Sequence, residues 1–244
     1  MIDELQLFRG HDYVINEFIT IHHPTLNEIC DYGEKKYYSM VSNLCATPSD
    51  YKVFLFDNYG IYYEDISEFE FFCTLSRGFL VDETSILFGD LDFSCFDLAK
   101  NTQNGQMVLY DSIHNIIIDE ALYKIITDYL RRIHNFEKRN DIAGNDHTKK
   151  YLIEKERRQQ KRKKNEKYRS MLVPLVSAMV NCEQFKYDHN TVWNLPIYVF
   201  MDSVKRIQKL KNYNQLMQGV YAGTIDSKTL SQDSFDWMGS LSKN

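Results

Sequence analysis

Between residues 154 and 167 the chain reads "EKERRQQKRKKNEK", fourteen positions without an apolar side chain, a glycine or a proline. A stretch like this has no face to bury, so it must lie on the outside of whatever the rest of the chain folds into. Nothing in it breaks a helix, and at ~1.5 Å per residue it predicts a rod about 21 Å long. Its internal support is weak. Glu154 can pair with Arg158 one turn on, but Arg157/Lys161, Arg158/Arg162 and Lys163/Lys167 set like charges four apart, each mildly unfavourable. The rod therefore persists as an extension of the turn at 151–153, or it frays, or a partner orders it.

The charge of this segment contrasts with its surroundings. Residues 1–147 carry net −14, residues 148–169 net +8 and residues 170–244 net +1, for a total of −5. The chain divides accordingly into an acidic helical body at 1–147, a basic connector at 148–169, and a C-terminal helical region at 170–244 ending in a polar, aromatic-bearing tail; all three can share one domain. The simplest electrostatic consequence is that the basic rod lies against the acidic body, its own or a neighbour's.

A core is easily supplied. Hydrophobic residues make up 43%, with 17 Tyr and 15 Phe, while only 4 Pro and 10 Gly argue against a low-complexity chain. The apolar runs, such as "SMLVPLVSAMV", are far too short to span a membrane. The first residues show no basic region followed by an apolar one, so no secretory signal is expected. Five cysteines, none in a CxxC pair, suggest reduced and mostly buried thiols in a cytosolic protein.

Helix punctuation is clear. Thr25 with Glu28 three places on forms a capping box, followed by a stripe through Leu26, Ile29, Tyr37, Met40 and Leu44. Thr47 and Pro48 open the next helix and Gly60 closes it; two shorter helices end near Gly78 and Gly89. Around 96–118 the pattern changes to alternation with an Asn104-Gly105 turn, which predicts a β-hairpin and a third strand at 115–118. Asp119 caps an amphipathic helix through Ile133, and Asp146 or Thr148 caps the basic one. A buried helix containing Pro174 and a long one from Pro196 to about Tyr221 complete the set. The fold class expected is mainly α with a small antiparallel β element: a compact multi-helix domain with a protruding basic helix.

No catalytic or metal signature emerges. Asp90, Asp92 and Asp97 lie close in sequence but lack ligands at fixed offsets, and each suits a turn. His22 and His23 precede Pro24 and read as turn residues. No GxSxG or glycine-rich phosphate loop is present. No enzyme activity, cofactor or metal is therefore expected. The candidate partner-binding residues are Arg157, Arg158, Lys161, Arg162, Lys163 and Lys164 on the rod, with Phe235 and Trp237 in the tail. Nucleic acid is disfavoured: the rod is flanked only by Tyr151 and Tyr168, no base-stacking platform accompanies it, and the acidic body repels a polyanion. Trp193 reads as a core residue sealing a helix junction, whereas Trp237 sits in a tail that must fold back or dock elsewhere.

The segments "HPTLNEICDYGEKKYYSMVSNLCATPSDYKV", "LFGDLDF", "TVWNLPIYVFMDSVKRIQKLKNY" and "GVYAGTIDSK" together resemble a family of proteins from tailed phages of Firmicutes, associated with tail assembly as chaperones or accessory proteins. The resemblance runs from His22 to Gly239. It implies a non-enzymatic protein of the host cytoplasm that escorts the tape measure protein while the tail tube assembles. The partners it implies are the tape measure protein or other tail proteins, and the charge division adds self-association. A virion structural or connector component, and a nucleic-acid-associated phage protein using residues 149–169, are the alternative readings.

Overall fold

In the computed structural model, which describes residues 3–102, 104–164 and 166–241, hydrogen-bonded N-cap side chains start five of the ten α-helices. Asp3 accepts from the Leu5 and Gln6 amides to open α1 (Glu4–Arg9). A two-residue hairpin follows, β1 (Tyr13–Val14) against β2 (Thr20–Ile21). The Thr25–Glu28 capping box opens α2 (Leu26–Tyr32), and α3 (Glu34–Leu44) continues from it. Thr47 and Asp50 form a second box over a 3-10 turn that leads into α4 (Lys52–Tyr59), which stops at Gly60 with φ +68°. Ser67 and Glu70 box α5 (Glu68–Ser76), and α6 (Val81–Phe88) ends at Gly89.

The β element is a three-stranded antiparallel sheet, β3 (Asp97–Lys100), β4 (Met107–Asp111) and β5 (Ile116–Ile118), in the order β3-β4-β5. Leu109 pairs with Leu98 on one side and Ile118 on the other. Asp119 caps α7 (Glu120–His134). The basic helix α8 (Asp146–Lys163) is capped by Asn145, whose Oδ1 accepts from Thr148 N at 2.9 Å. The cap is therefore neither Asp146 nor Thr148: a carboxamide one residue earlier reaches the third amide, and Asp146 becomes the first helical residue. Two more helices complete the chain, α9 (Leu172–Val180) and α10 (Ile197–Tyr221). The architecture is mainly α with minor β, ten helices and two small sheets among the described residues.

One core joins elements far apart in sequence. Its buried side chains run from Leu7 on α1 to Phe200 on α10. Phe93 sits among Phe72, Phe79, Phe88 and Phe96, with ring centroids 5.2–6.2 Å apart, spacings at which edge-to-face contacts add to burial. The start of α10 is stitched to the start of α2: the Leu26 amide donates to Leu195 O at 3.0 Å and the Ile197 amide to Pro24 O at 2.9 Å. Gly10 touches the same junction; a Cβ there would stand 2.5 Å from Pro196 Cγ, so only glycine fits.

Some expectations are corrected. α9 is only partly buried: Val176 and Met179 face the core while Val173 is 66% exposed. Of the five free cysteines, Cys45 and Cys73 are buried, Cys95 and Cys182 half-buried and Cys30 exposed, so the thiols are not mostly interior. The histidine before Pro24 is a core residue, not a turn residue. His23 is buried, its Nε2 hydrogen-bonds Tyr129 Oη at 2.6 Å, and Tyr129 stacks on Tyr13 at 4.1 Å. A second buried histidine, His134, donates from Nδ1 to Leu130 O at 2.8 Å and accepts from Tyr37 Oη at 2.5 Å.

Burial pushes both imidazoles down to about 4; for His23 this overrides the nearby Asp12 carboxylate. Unfolded, each ring takes up a proton near pH 6.5. Between pH 6.5 and about 4 the unfolded chain therefore binds more protons than the folded one, and stability falls as pH falls. Each ring contributes on the order of 3 kcal/mol across that window. We expect urea unfolding midpoints to drop between pH 6.5 and 5, above the range where carboxylates titrate, and His134→Gln to flatten that slope. A midpoint constant down to pH 4.5 would contradict it.

Candidate functional site

α8 packs along α4, with contacts that run as far as Arg157. Ile153 is buried, and Leu152 covers a small cluster made by Ala46, Leu55, Tyr63 and Phe71. Polar contacts flank this apolar strip. Lys149 pairs with Glu64 at 2.9 Å, Glu156 receives the Arg139 guanidinium at 2.7 Å, and Arg157 bridges Asp57 on α4 and Glu154 on its own helix. Glu154 thus pairs with Arg157 rather than Arg158, because Arg157 faces α4 while Arg158 turns outward.

Beneath these contacts lies a fully buried ammonium. Lys52 on α4 is 1% exposed, ion-pairs with Asp141, and lies 5.2 Å from the centre of the Tyr63 ring. Asp141 also accepts from Arg139 Nε at 3.0 Å, and its own amide donates to Ser49 Oγ at 3.1 Å. Thr47 Oγ1 donates to Arg139 O at 2.8 Å. The α7–α8 connection is therefore fastened to the α3–α4 corner from both backbone and side chain. Burial alone would raise the Asp141 carboxyl, but Lys52 and Arg139 outweigh it and hold it below the usual carboxylate range.

The far end of the basic segment is fastened too. Glu34 at the start of α3 accepts from the Met171 amide at 2.7 Å and the Leu172 amide at 2.9 Å. A carboxylate from another helix thus caps the N-terminus of α9, where donors are unpaired and the helix dipole favours negative charge. Partial burial pushes the Glu34 carboxyl up, yet these amides and Ser170 bring it below its ordinary value. Lys35 stands over the Tyr168 ring at 6.0 Å.

What remains between the anchors is exposed. Arg158, Lys161, Arg162, Lys163 and Lys164 all face solvent, and among the described residues none forms an ion pair. Three of them occupy the last turn of α8, where cations oppose the negative helix end at about 0.3–1 kcal/mol each. This favourable term offsets the like-charge spacing.

The other two sequence candidates lie in the tail, which folds back on α10. Arg206 donates to Trp237 O and Gly239 O, both at 2.9 Å, and Lys209 reaches Gly239 O at 3.3 Å. Phe235, in a 3-10 turn, is 41% exposed, and Trp237 is half-buried. Trp193 is half-buried against the core, edge-on to His189 at 6.0 Å. Among the described residues no hydrogen bond, ion pair or ring contact joins the tail pair to the basic segment. Asp92, by contrast, caps a 3-10 turn through the Ser94 amide at 2.9 Å.

The fold and these two regions define a mainly α protein that displays a basic segment between fixed ends and holds its tail against its last long helix. Residues 161–242 match the family model described as YomV second domain, a Bacillus phage-associated family, and the match supports a phage protein. The matched span takes in the end of α8, then α9, α10 and the folded-back tail. No curated protein and no solved structure matches. No helix among the described residues is long and apolar enough to cross a membrane.

The anchor makes a directional prediction. Asp141→Asn leaves the Lys52 ammonium buried without its counter-charge and should destabilise the protein by about 3 kcal/mol. Lys52→Met should cost less, because Asp141 is 26% exposed and keeps Arg139. Chemical denaturation of both variants measures the order; equal stability of Asp141→Asn and the parent would contradict it.

Proposed function

We propose that this chain is a non-enzymatic phage protein acting in virion tail assembly, where it chaperones the tape measure protein during tail tube formation. The observation that carries this reading is the match of residues 161–242 to a phage-associated module, taken with the surface that module presents. Met201, Val204, Ile207 and Leu210 form an apolar stripe along α10; all four are half-buried, and the first three pack against the protein's own core. The part of these side chains left uncovered is apolar surface that a client helix can use. The tail folds back on the same helix, its backbone carbonyls accepting from Arg206 and Lys209.

A tail held on α10 by polar contacts suits a chaperone, which must bind a long helical client and then leave. Phe235, exposed, and Trp237, half-buried, supply aromatic contact area in the tail, the residue types that dominate interface energetics. The client is bound in the host cytoplasm on this reading, and no cofactor takes part.

The test is capture from phage-infected or co-expressing cells with the full chain as bait and mass spectrometry of the bound species. The tape measure protein should be enriched, and Phe235→Ala with Trp237→Ala should reduce its recovery by about tenfold without changing the fold. Recovery of the chain as a component of finished virions, with no tape measure protein captured, would contradict the chaperone reading.

A further inference from the structure

We propose that the basic span at 158–169 of one copy docks on the acidic span at 82–97 of a second copy, giving a head-to-tail, salt-sensitive self-association. This goes beyond the tail-assembly reading, because it uses a surface that the tape measure protein is not assigned. Seven cations and one acid, Glu166, occupy residues 158–169. All are exposed, and among the described residues none is in an ion pair.

The span's own body does not use these charges. Lys149 and Arg157, the cations that reach the body from α8, are already matched by Glu64 and Asp57. Asp141 and Asp57 fix the segment at one end and Glu34 at the other. The charged side chains of the span are therefore presented outward, while Tyr168 near its end lies beside Lys35 of the same chain.

The complementary charge lies on the body. Between Arg77 and Lys100 there is no basic residue, while Asp82, Glu83, Asp90, Asp92 and Asp97 add five negative charges. Asp82, Asp90 and Asp97 are exposed, and none of the five enters an ion pair among the described residues. Six of the eleven body cations, Lys52, Lys124, Arg131, Arg132, Lys138 and Arg139, sit in ion pairs. Each copy thus carries an unmatched basic span and, at 82–97, an acidic span with no cation within it and no ion pair among the described residues. The two surfaces differ, so the contact is heterologous and leaves a free end on each side.

Nucleic acid fits the same span less well. Stacking side chains are absent from it except Tyr168, which is held beside Lys35, and ssDNA or RNA binders pair their cations with aromatic platforms. A body of net −14 also repels a polyanion while attracting the basic span of another copy.

Sedimentation velocity of the full chain over a concentration series decides it. Association at low salt should weaken by roughly tenfold or more by about 0.5 M NaCl, where the screening length is about 4 Å. Two variants, Lys161→Gln/Arg162→Gln/Lys163→Gln/Lys164→Gln and Asp82→Asn/Asp90→Asn/Asp97→Asn, should each be monomeric. Circular dichroism should show both still folded, since every changed side chain is exposed. Mixing them should restore a 1:1 pair and nothing larger, because each retains one intact surface. A parent that stays monomeric at low salt would overturn the proposal, as would association that survives both variants. So would a mixture that fails to pair, or retention of a single-stranded DNA oligonucleotide at physiological salt that the four-glutamine variant abolishes.

Discussion

An ammonium taken out of water is tolerated only with its counter-charge, and the Lys52–Asp141 pair is the point on which this fold's arrangement of charge depends. Lys52 arrives on α4, Asp141 on the connection between α7 and α8, and Arg139 links that same carboxylate to Glu156 on α8. Three elements meet at one carboxylate. Because Asp141 is fixed, α8 must leave the body at this corner, and its apolar turn at 152–153 falls onto the cluster around Tyr63 and Phe71. The direction of the basic helix is set by the pair beneath its base and by Lys149, Glu156 and Arg157, not by the exposed cations beyond them.

That geometry resolves the tension between the parts of the chain. A net +8 segment beside a net −14 body would be expected to collapse fully onto it. It does so only where a buried apolar residue and matched acids coincide, up to Arg157. Beyond Arg157 no apolar side chain remains to bury, and exposed ion pairs alone contribute about 0–1 kcal/mol. Glu34 then recaptures the chain at the start of α9. The consequence is a charged span with two fixed ends, so its orientation toward a partner is preset and less ordering entropy is lost on contact.

Much of this was legible in the sequence. Local signals carry their own physics: the Thr25 capping box, Asp119 as a cap, the stops at Gly60 and Gly89, and the third strand after the Asn104-Gly105 turn all fall where short-range patterns put them. α1 and the β1–β2 pair were missed; six residues and two two-residue strands are too short to show periodicity. The buried lysine had no local signature either, since its partner lies 89 residues away. Nor could Pro24 reveal that the histidine beside it enters the core, because Tyr129 comes from a distant helix. The basic candidates were visible as a run of charge. That Arg157 is an anchor and Arg158 onward is display depends on Asp57, which only the fold brings near.

The claim that the basic segment is anchored at both ends and free between them is tested most directly by amide hydrogen exchange along residues 146–180. Slow exchange is predicted at 149–157, where the helix packs on α4, and again in α9 behind the Glu34 cap, with fast exchange at 159–170 between them. Asp141→Asn should speed exchange in the first block and leave the second unchanged. Uniformly fast exchange from 149 to 170 in the parent protein, or a first block indifferent to Asp141→Asn, would contradict the anchoring role given to the buried pair.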